Sequence, residues 1–300
     1  MNSTPVLSVI VADEYSSDNL ELILRKLNPA AHPDLEIILC SSNLEIGSSK
    51  FIQFPNVRFL TASPQTRIPY LCKDGIRASR AGKVALLTGH MIPEDDWVDC
   101  ALQLDVDKEV VGWGGAILTS GRKNALEIAI YLLRYARFSS KRASGIVQEI
   151  AADNAVYLKS EILRYESLLD QGFWEPTFHE RFHGAGKQLG FEPALAVMYR
   201  NQYRPMEFIR QRYEHGNSNG RTRGSAMSVP EKIARILAFP VVSTVVVAKS
   251  LFAADKSNLE RGWVLSLVWL QIFSIFWCLG EARGYLQSIF GIPEPEKPMN

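Results

Sequence analysis

Cysteine is scarce and scattered: the four in this 300-residue chain, Cys40, Cys72, Cys100 and Cys278, include no close pair. A zinc or redox motif needs two sulfurs within a few residues, so these read as buried thiols in a reducing compartment. An excess of either charge is missing too. With 33 Lys and Arg against 32 Asp and Glu, no electrostatic footprint for nucleic acid remains, and that partner class is excluded. The opening MNSTPVLSVIVADE has neither a basic start nor a small-residue cleavage site, so it reads as a strand rather than a signal peptide. Internal repeats and low-complexity tracts are absent as well. What is left is room for one large domain and an appendage, or for two modest domains, with the chemistry in the cytosol or on the cytoplasmic face of a membrane.

What is present in the first half is alternation. Leu7 to Val11, Leu35 to Cys40, Val57 to Leu60 and Lys83 to Leu87 are strand-length apolar runs. Between them, Asp18 stands near a helix start, Leu20, Ile23, Leu24 and Leu27 recur at helical spacing, and Ile68 to Ala81 suits a second helix. Strand–helix alternation predicts an α/β fold, a mostly parallel central sheet with helices on both faces. Ligands of such sheets bind beyond the carboxyl ends of the strands. The residues to inspect are therefore Asp13 and Glu14, then Ser41, Ser42 and Asn43, then Thr88, Gly89 and His90.

Composition shifts at 216–230, GNSNGRTRGSAMSVP, which reads as a linker or mobile loop. Beyond it Ile236 to Ala248 carries no charge, and Trp263 to Leu279 is 17 uncharged residues with three tryptophans. These predict an apolar helical hairpin with its polar turn at 255–262 and a kink near Pro240. Apolar on all faces, and close to the ~20 residues a span requires, the hairpin is expected to seek membrane. Residues 1–225 then form the catalytic-type domain and 226–300 the hairpin.

One short motif points elsewhere. His179-Glu180-Arg181-Phe182-His183 is an HExxH string, which on a helix places two imidazoles on one face for zinc and leaves Glu180 as a base. A third ligand is not evident, since position 189 is Leu189. The bland reading is a polar helix with two solvent-facing histidines.

The same stretch belongs to a longer pattern. The opening strand and helix, GKVALLTGHMIPEDDW (82–97), AADNAVYLKSEIL (151–163), the Glu175 region and Gln211-Arg212-Tyr213 occur in the order and spacing of the family 2 glycosyltransferases of GT-A fold. The chain resembles that family from Leu7 to about Arg221. The resemblance implies a nucleotide-sugar donor, a lipid-linked or polysaccharide acceptor, and a Mn or Mg ion. It makes Glu175 the base that takes the acceptor's proton in an inverting transfer, with burial raising its pKa toward working range. Arg210, Arg212 and Arg221, beside Tyr213, would clamp the diphosphate from a loop that orders on binding. Asp13, Glu14, Ser41, Thr88 and His90 fall on the donor side, and Asp153 and Asn154 on the acceptor side. Lys73 and Arg77, one turn apart on the helix before the fourth strand, either approach phosphate or form a wet face.

Two departures stand out. Thr88-Gly89-His90 occupies the place of the family's acidic metal motif, leaving His90 as the metal-ligand candidate. Ser41 and Ser42 stand where an aspartate often meets the nucleobase. Asp95 and Asp96 read as helix-start acids first and as ligands second. Three functions follow: a membrane-associated glycosyltransferase, a scaffold of the same ancestry disabled at the metal site, and a zinc hydrolase using His179, Glu180 and His183.

Overall fold

The leucine-rich and β-branched runs become the inner strands of a sheet. In the computed structural model, the described residues are 4–14, 19–42, 54, 56–64, 66–119, 124–200, 203–225, 227–253 and 263–292. Asp18, Asn43 and the turn at 255–262 lie outside them. The chain divides into two compact units, Met1–Ser120 with Phe138–Gln202, and Gly121–Arg137 with Tyr203–Asn300.

The first unit opens with β1 (Leu7–Asp13), α1 (Leu20–Leu27), β2 (Leu35–Ser41), β3 (Val57–Thr61), α2 (Ile68–Ala78) and β4 (Lys83–Thr88). Every residue of β1 and β2 is buried, as near-continuous apolar strands covered on both faces should be. The acid of β2, Glu36, is satisfied. Ser8 Oγ and the Arg80 amide donate to its Oε2 at 2.6 and 2.8 Å, while Arg58 and Arg80 reach Oε1 at 2.6 and 2.8 Å. Burial pushes this carboxyl up, but the four donors outweigh it and hold Glu36 below its ordinary value.

The chain continues through β5 (Met91–Pro93), α3 (Trp97–Gln103) and β6 (Val110–Thr119), then leaves the unit for α4 (Ala125–Arg134). It returns with β7 (Gly145–Val147), β8 (Asn154–Leu158), α5 (Lys159–Leu163), α6 (Glu166–Leu169), α7 (Glu175–Gly184) and β9 (Gln188–Tyr199). The sheet runs β3-β2-β1-β4-β8-β6-β9-β5, with β7 also on β9. The β3-β2-β1-β4 half is parallel, as the alternation predicts, and β8 enters antiparallel to both β4 and β6. Because β2 and β4 flank β1 on opposite sides, the direction of strand succession reverses there, which opens a crevice beyond Asp13 and Thr88.

The second unit corrects the linker reading. Pro205–Ser225 is one 21-residue helix, α8, followed by α9 (Val229–Leu237), α10 (Phe239–Ala253) and α11 (Trp263–Ile289). The glycines at 216, 220 and 224 recur every four residues, so they line one helix face instead of loosening the chain. A Cβ on Gly216 would lie 2.9 Å from the Trp277 carbonyl carbon, and one on Gly220 2.9 Å from that of Glu281. Gly280 and Gly284 answer from α11, where an added Cβ would lie 2.9 Å from the Asn217 amide and 2.7 Å from the Arg221 amide. Positions on the two helices rise together, so α8 and α11 run parallel in backbone contact. Polar residues flank the seam: Asn217 donates to Gln287 at 3.0 Å, and Asn219 to Glu281 at 3.0 Å.

The apolar hairpin is present as α10 and α11, and the chain bends by 66° between α9 and α10, beside Pro240. Among the described residues, Val264–Ile289 is one helix long and apolar enough to cross a membrane. The unit holding these helices begins at Tyr203 and takes in α4, so the observed division falls well before residue 225.

Candidate functional site

Four residues meet at the crevice where β1 and β4 end. Asp13 closes β1 and is buried, and its carboxylate lies against Gly89, where any Cβ would collide with it. Position 89 must therefore be glycine for Asp13 to stay in place. Thr88 closes β4, and its hydroxyl donates to Asp153 Oδ1 at 3.0 Å. With that proton committed, Thr88 Oγ1 accepts from His90 Nε2 at 3.2 Å, which fixes the imidazole tautomer. His90 Nε2 also lies 3.5 Å from Asp153 Oδ1. The His90 ring meets Tyr199 edge-on at 5.7 Å, and its carbonyl accepts from the Arg200 amide at 2.9 Å.

Asp153 reaches Thr88 through strand register. β8 pairs antiparallel with β4, Leu87 opposite Asn154, so the next residues along, Thr88 and Asp153, are neighbours. Asn154, expected on the acceptor side, is corrected. It is fully buried, donates to the Ala116 and Leu195 carbonyls at 3.2 and 2.7 Å, and accepts from the Trp97 indole at 2.8 Å. Every polar atom it owns ties α3, β6 and β9 together, and none is left for a substrate.

Glu175 is the first residue of α7, where the positive end of the helix dipole favours its charge. Its Oε2 accepts from the Ala152 amide at 2.9 Å, which places the carboxylate one residue from Asp153. Behind it lies an apolar floor of Phe173, Phe178, Phe182 and Tyr157. Burial, reinforced by Glu175 among other groups, pushes the Tyr157 hydroxyl and the Cys72 thiol well above their ordinary values, so both are neutral at physiological pH.

The zinc reading is overturned by geometry. His179 and His183 do sit on one helix, but His179 is buried with Nε2 3.0 Å from the Tyr157 hydroxyl. His183 places its two ring nitrogens against the Lys187 and Gln148 carbonyls at 3.2 and 2.8 Å. Among the described residues, no three His, Cys, Asp or Glu side chains gather as a metal-binding group.

Of the other donor-side residues in this unit, Ser41 ends β2 buried, and the Glu14 carbonyl accepts from Ser42 Oγ at 3.1 Å. Lys73 lies on α2, 3.5 Å from Asp74 and over the Tyr70 ring. Arg77 pairs with Asp170 at 2.6 Å, so the wet-face reading of this helix describes it. Asp95 pairs with Lys26 at 2.5 Å, while Asp96 stands at the N-terminus of α3.

The late basic residues are on α8 in the second unit, on a formed helix rather than the loop expected. Arg210 is exposed and pairs with Glu214 at 2.9 Å. The Arg212 Nε is buried without a hydrogen-bond partner, its guanidinium 5.9 Å from the Trp277 ring centroid, and burial followed by Arg134 lowers its pKa. Tyr213 OH accepts from Arg283 at 3.2 Å, and Arg221 reaches Gln287 at 3.4 Å. Sequence reasoning missed the glycine seam, whose signal was the four-residue spacing itself, and it missed the approach of Asp153 to Thr88, which only register reveals.

No protein-family model and no curated protein matches this chain. Among solved structures, it is similar to a mannosyltransferase from Pyrobaculum calidifontis in complex with GDP-Man and Mn2+, at 12% identity and a TM-score of 0.55, over 97% of this chain and 89% of that one. The chain has a nucleotide-sugar transferase fold. A mycobacterial protein is also similar over 70% of this chain and 72% of its own, at 14% identity and a TM-score of 0.46.

Proposed function

We propose that this protein is an inverting glycosyltransferase of the family 2 type, moving a sugar from a nucleotide-diphosphate donor to a lipid-linked or polysaccharide acceptor. The observation that carries this reading is the Glu175 carboxylate, held by the Ala152 amide next to Asp153 at the reversal point of the sheet. In the reaction, the acceptor hydroxyl attacks the anomeric carbon and its proton passes to Glu175. The bond from that carbon to the diphosphate oxygen breaks, and its electron pair leaves with the nucleoside diphosphate. Orientation of Glu175 is the protein's main contribution to this proton transfer, worth about 10²–10⁴ in rate.

A divalent cation, Mn or Mg, would neutralise the leaving diphosphate. The donor atoms present suit one: Thr88 Oγ1, His90 Nε2 and Asp153 Oδ1 lie 3.0, 3.2 and 3.5 Å from one another. Asp13 adds negative charge beside them.

The second unit supports a place on the cytoplasmic face of a membrane. α10 has 15 residues and is ~22 Å long, and α11 is already engaged by α8 at Phe273, where the Phe208 ring packs at 4.7 Å, so its free apolar limb is shorter still. That falls short of the ~30 Å hydrocarbon core. Past Trp277, α11 carries Glu281, Arg283 and Gln287 and is engaged by α8. The hairpin therefore dips into the bilayer without crossing it, exposing Val264, Leu265 and Val268 to lipid.

The test is release of nucleoside diphosphate by the full chain from a panel of nucleotide sugars that begins with GDP-mannose, in the presence of lipid-linked acceptors. Glu175→Gln should lower turnover by about 10²–10⁴, and Glu180→Gln should leave it unchanged. Full turnover in Glu175→Gln would refute the role of that residue. Absence of nucleotide binding by calorimetry would leave a scaffold.

A further inference from the structure

We infer that Asp153 supplies the carboxylate that the end of β4 lacks, and that Thr88, His90 and Asp153 together form the divalent-cation site. The inference rests on the transferase reading for its use but stands on geometry of its own. Two ligands ~2.1 Å from an octahedral ion and at right angles to each other are about 3 Å apart. The three donor atoms are separated by 3.0, 3.2 and 3.5 Å, close to one face of such an octahedron.

Each ligand is fixed by the sheet. Thr88 is the last residue of β4, and His90 follows the turn that the Gly89 amide makes by donating to the Ala12 carbonyl at 2.9 Å. Asp153 is delivered by antiparallel β8, whose Asn154 is anchored to three elements. Strand-end residues held this way place ligands more precisely than a loop does.

The donor types bear on the choice between Mn2+ and Mg2+. One imidazole nitrogen, one carboxylate and one hydroxyl suit Mn2+ better than Mg2+, which favours oxygen alone. These three atoms would hold the cation, which would neutralise the phosphate oxygens of the leaving group. To ligate a cation through Nε2, the His90 imidazole would carry its proton on Nδ1. Asp153 thereby moves from the acceptor side to the donor side of the site.

The test titrates Mn2+ into the full-length chain, with and without GDP, and follows free aquo Mn2+ by electron paramagnetic resonance. One site is expected in the wild type, with a rise in melting temperature on saturation. Asp153→Asn and His90→Gln should each weaken binding at least tenfold, while circular dichroism shows the fold retained. Glu175→Gln should bind Mn2+ as the wild type does. Co2+ substitution gives a second readout, since the visible spectrum should change in His90→Gln as the nitrogen ligand is lost. Wild-type Mn2+ affinity in Asp153→Asn would overturn the assignment, as would a wild type that binds no Mn2+ under either condition. If Mn2+ binds through Asp153 but no donor is ever turned over, the transferase reading falls and the cation site stands.

Discussion

Replacing Gly220 by alanine separates two physical pictures of 216–225 by the sign of one number. In a solvated helix or linker, Gly→Ala stabilises by up to ~1 kcal/mol through helix propensity and lost chain entropy. In the seam with α11, the new Cβ lands 2.9 and 3.0 Å from the carbonyl carbon and Cα of Glu281, and closer still to its oxygen. Carbon atoms prefer ~3.5–4.0 Å, so the helices must part by about 0.5–1 Å, which forfeits a quarter to a half of each neighbouring contact. Overpacking of this kind costs ~1–3 kcal/mol. The obstacle is backbone, which has no rotamer to yield, so the upper end applies. Net of propensity, the expected loss is about 2 kcal/mol, or roughly 3 °C in Tm for a chain of this size. Thermal unfolding of the full chain in detergent, followed by circular dichroism, measures it. Gly184→Ala is the control, because a Cβ there meets nothing within 4 Å and should be neutral or stabilising. A higher Tm for Gly220→Ala would refute the close approach of α8 and α11.

Glu36→Gln should cost about 2 kcal/mol in urea unfolding at pH 7, since charge-assisted bonds to both arginines are lost. Because the folded-state pKa of Glu36 is lowered, its contribution is present above the unfolded value of about 4.5 and disappears as pH falls through the folded value. The wild type should thus lose its advantage over Glu36→Gln below pH ~4.5, and an advantage that persists unchanged at low pH would contradict the network. Asn154→Ala strands the Trp97 indole N–H and two carbonyls, and should destabilise by about 3 kcal/mol or more. A neutral Asn154→Ala in urea unfolding would return that residue to the substrate side. For the hairpin, a cysteine introduced by Asn258→Cys should stay unlabelled by an impermeant thiol reagent applied outside sealed cells. Labelling from outside would mean that the hairpin crosses.

The parallel strands were legible because burial on both faces writes itself as unbroken apolar runs, as in Leu7–Val11 and Leu35–Cys40. Helices α1 and α2 were legible from spacing, and Glu175 was found at the N-terminus of the helix where it was sought. The rest depended on pairing. No local pattern says that Asn154 lies opposite Leu87, so neither the burial of Asn154 nor the closeness of Asp153 to Thr88 was readable in AADN. The glycine-rich 216–225 misled for a different reason. Glycine signals both flexibility and close approach, and only its period distinguishes them. Short motifs are weak for a similar reason, since HExxH specifies a helical face but not what lies opposite, here the Tyr157 hydroxyl and a backbone carbonyl.

Asn154 has one more consequence. Its amide is satisfied on three sides by separate elements, so the residue before it cannot shift without disturbing a strand, another strand and a helix together. The corner at Asp153 therefore behaves as a ruler rather than a hand. It accepts what matches its spacing and does not close around what does not, so adaptation to differently sized substrates has to come from elsewhere in the chain.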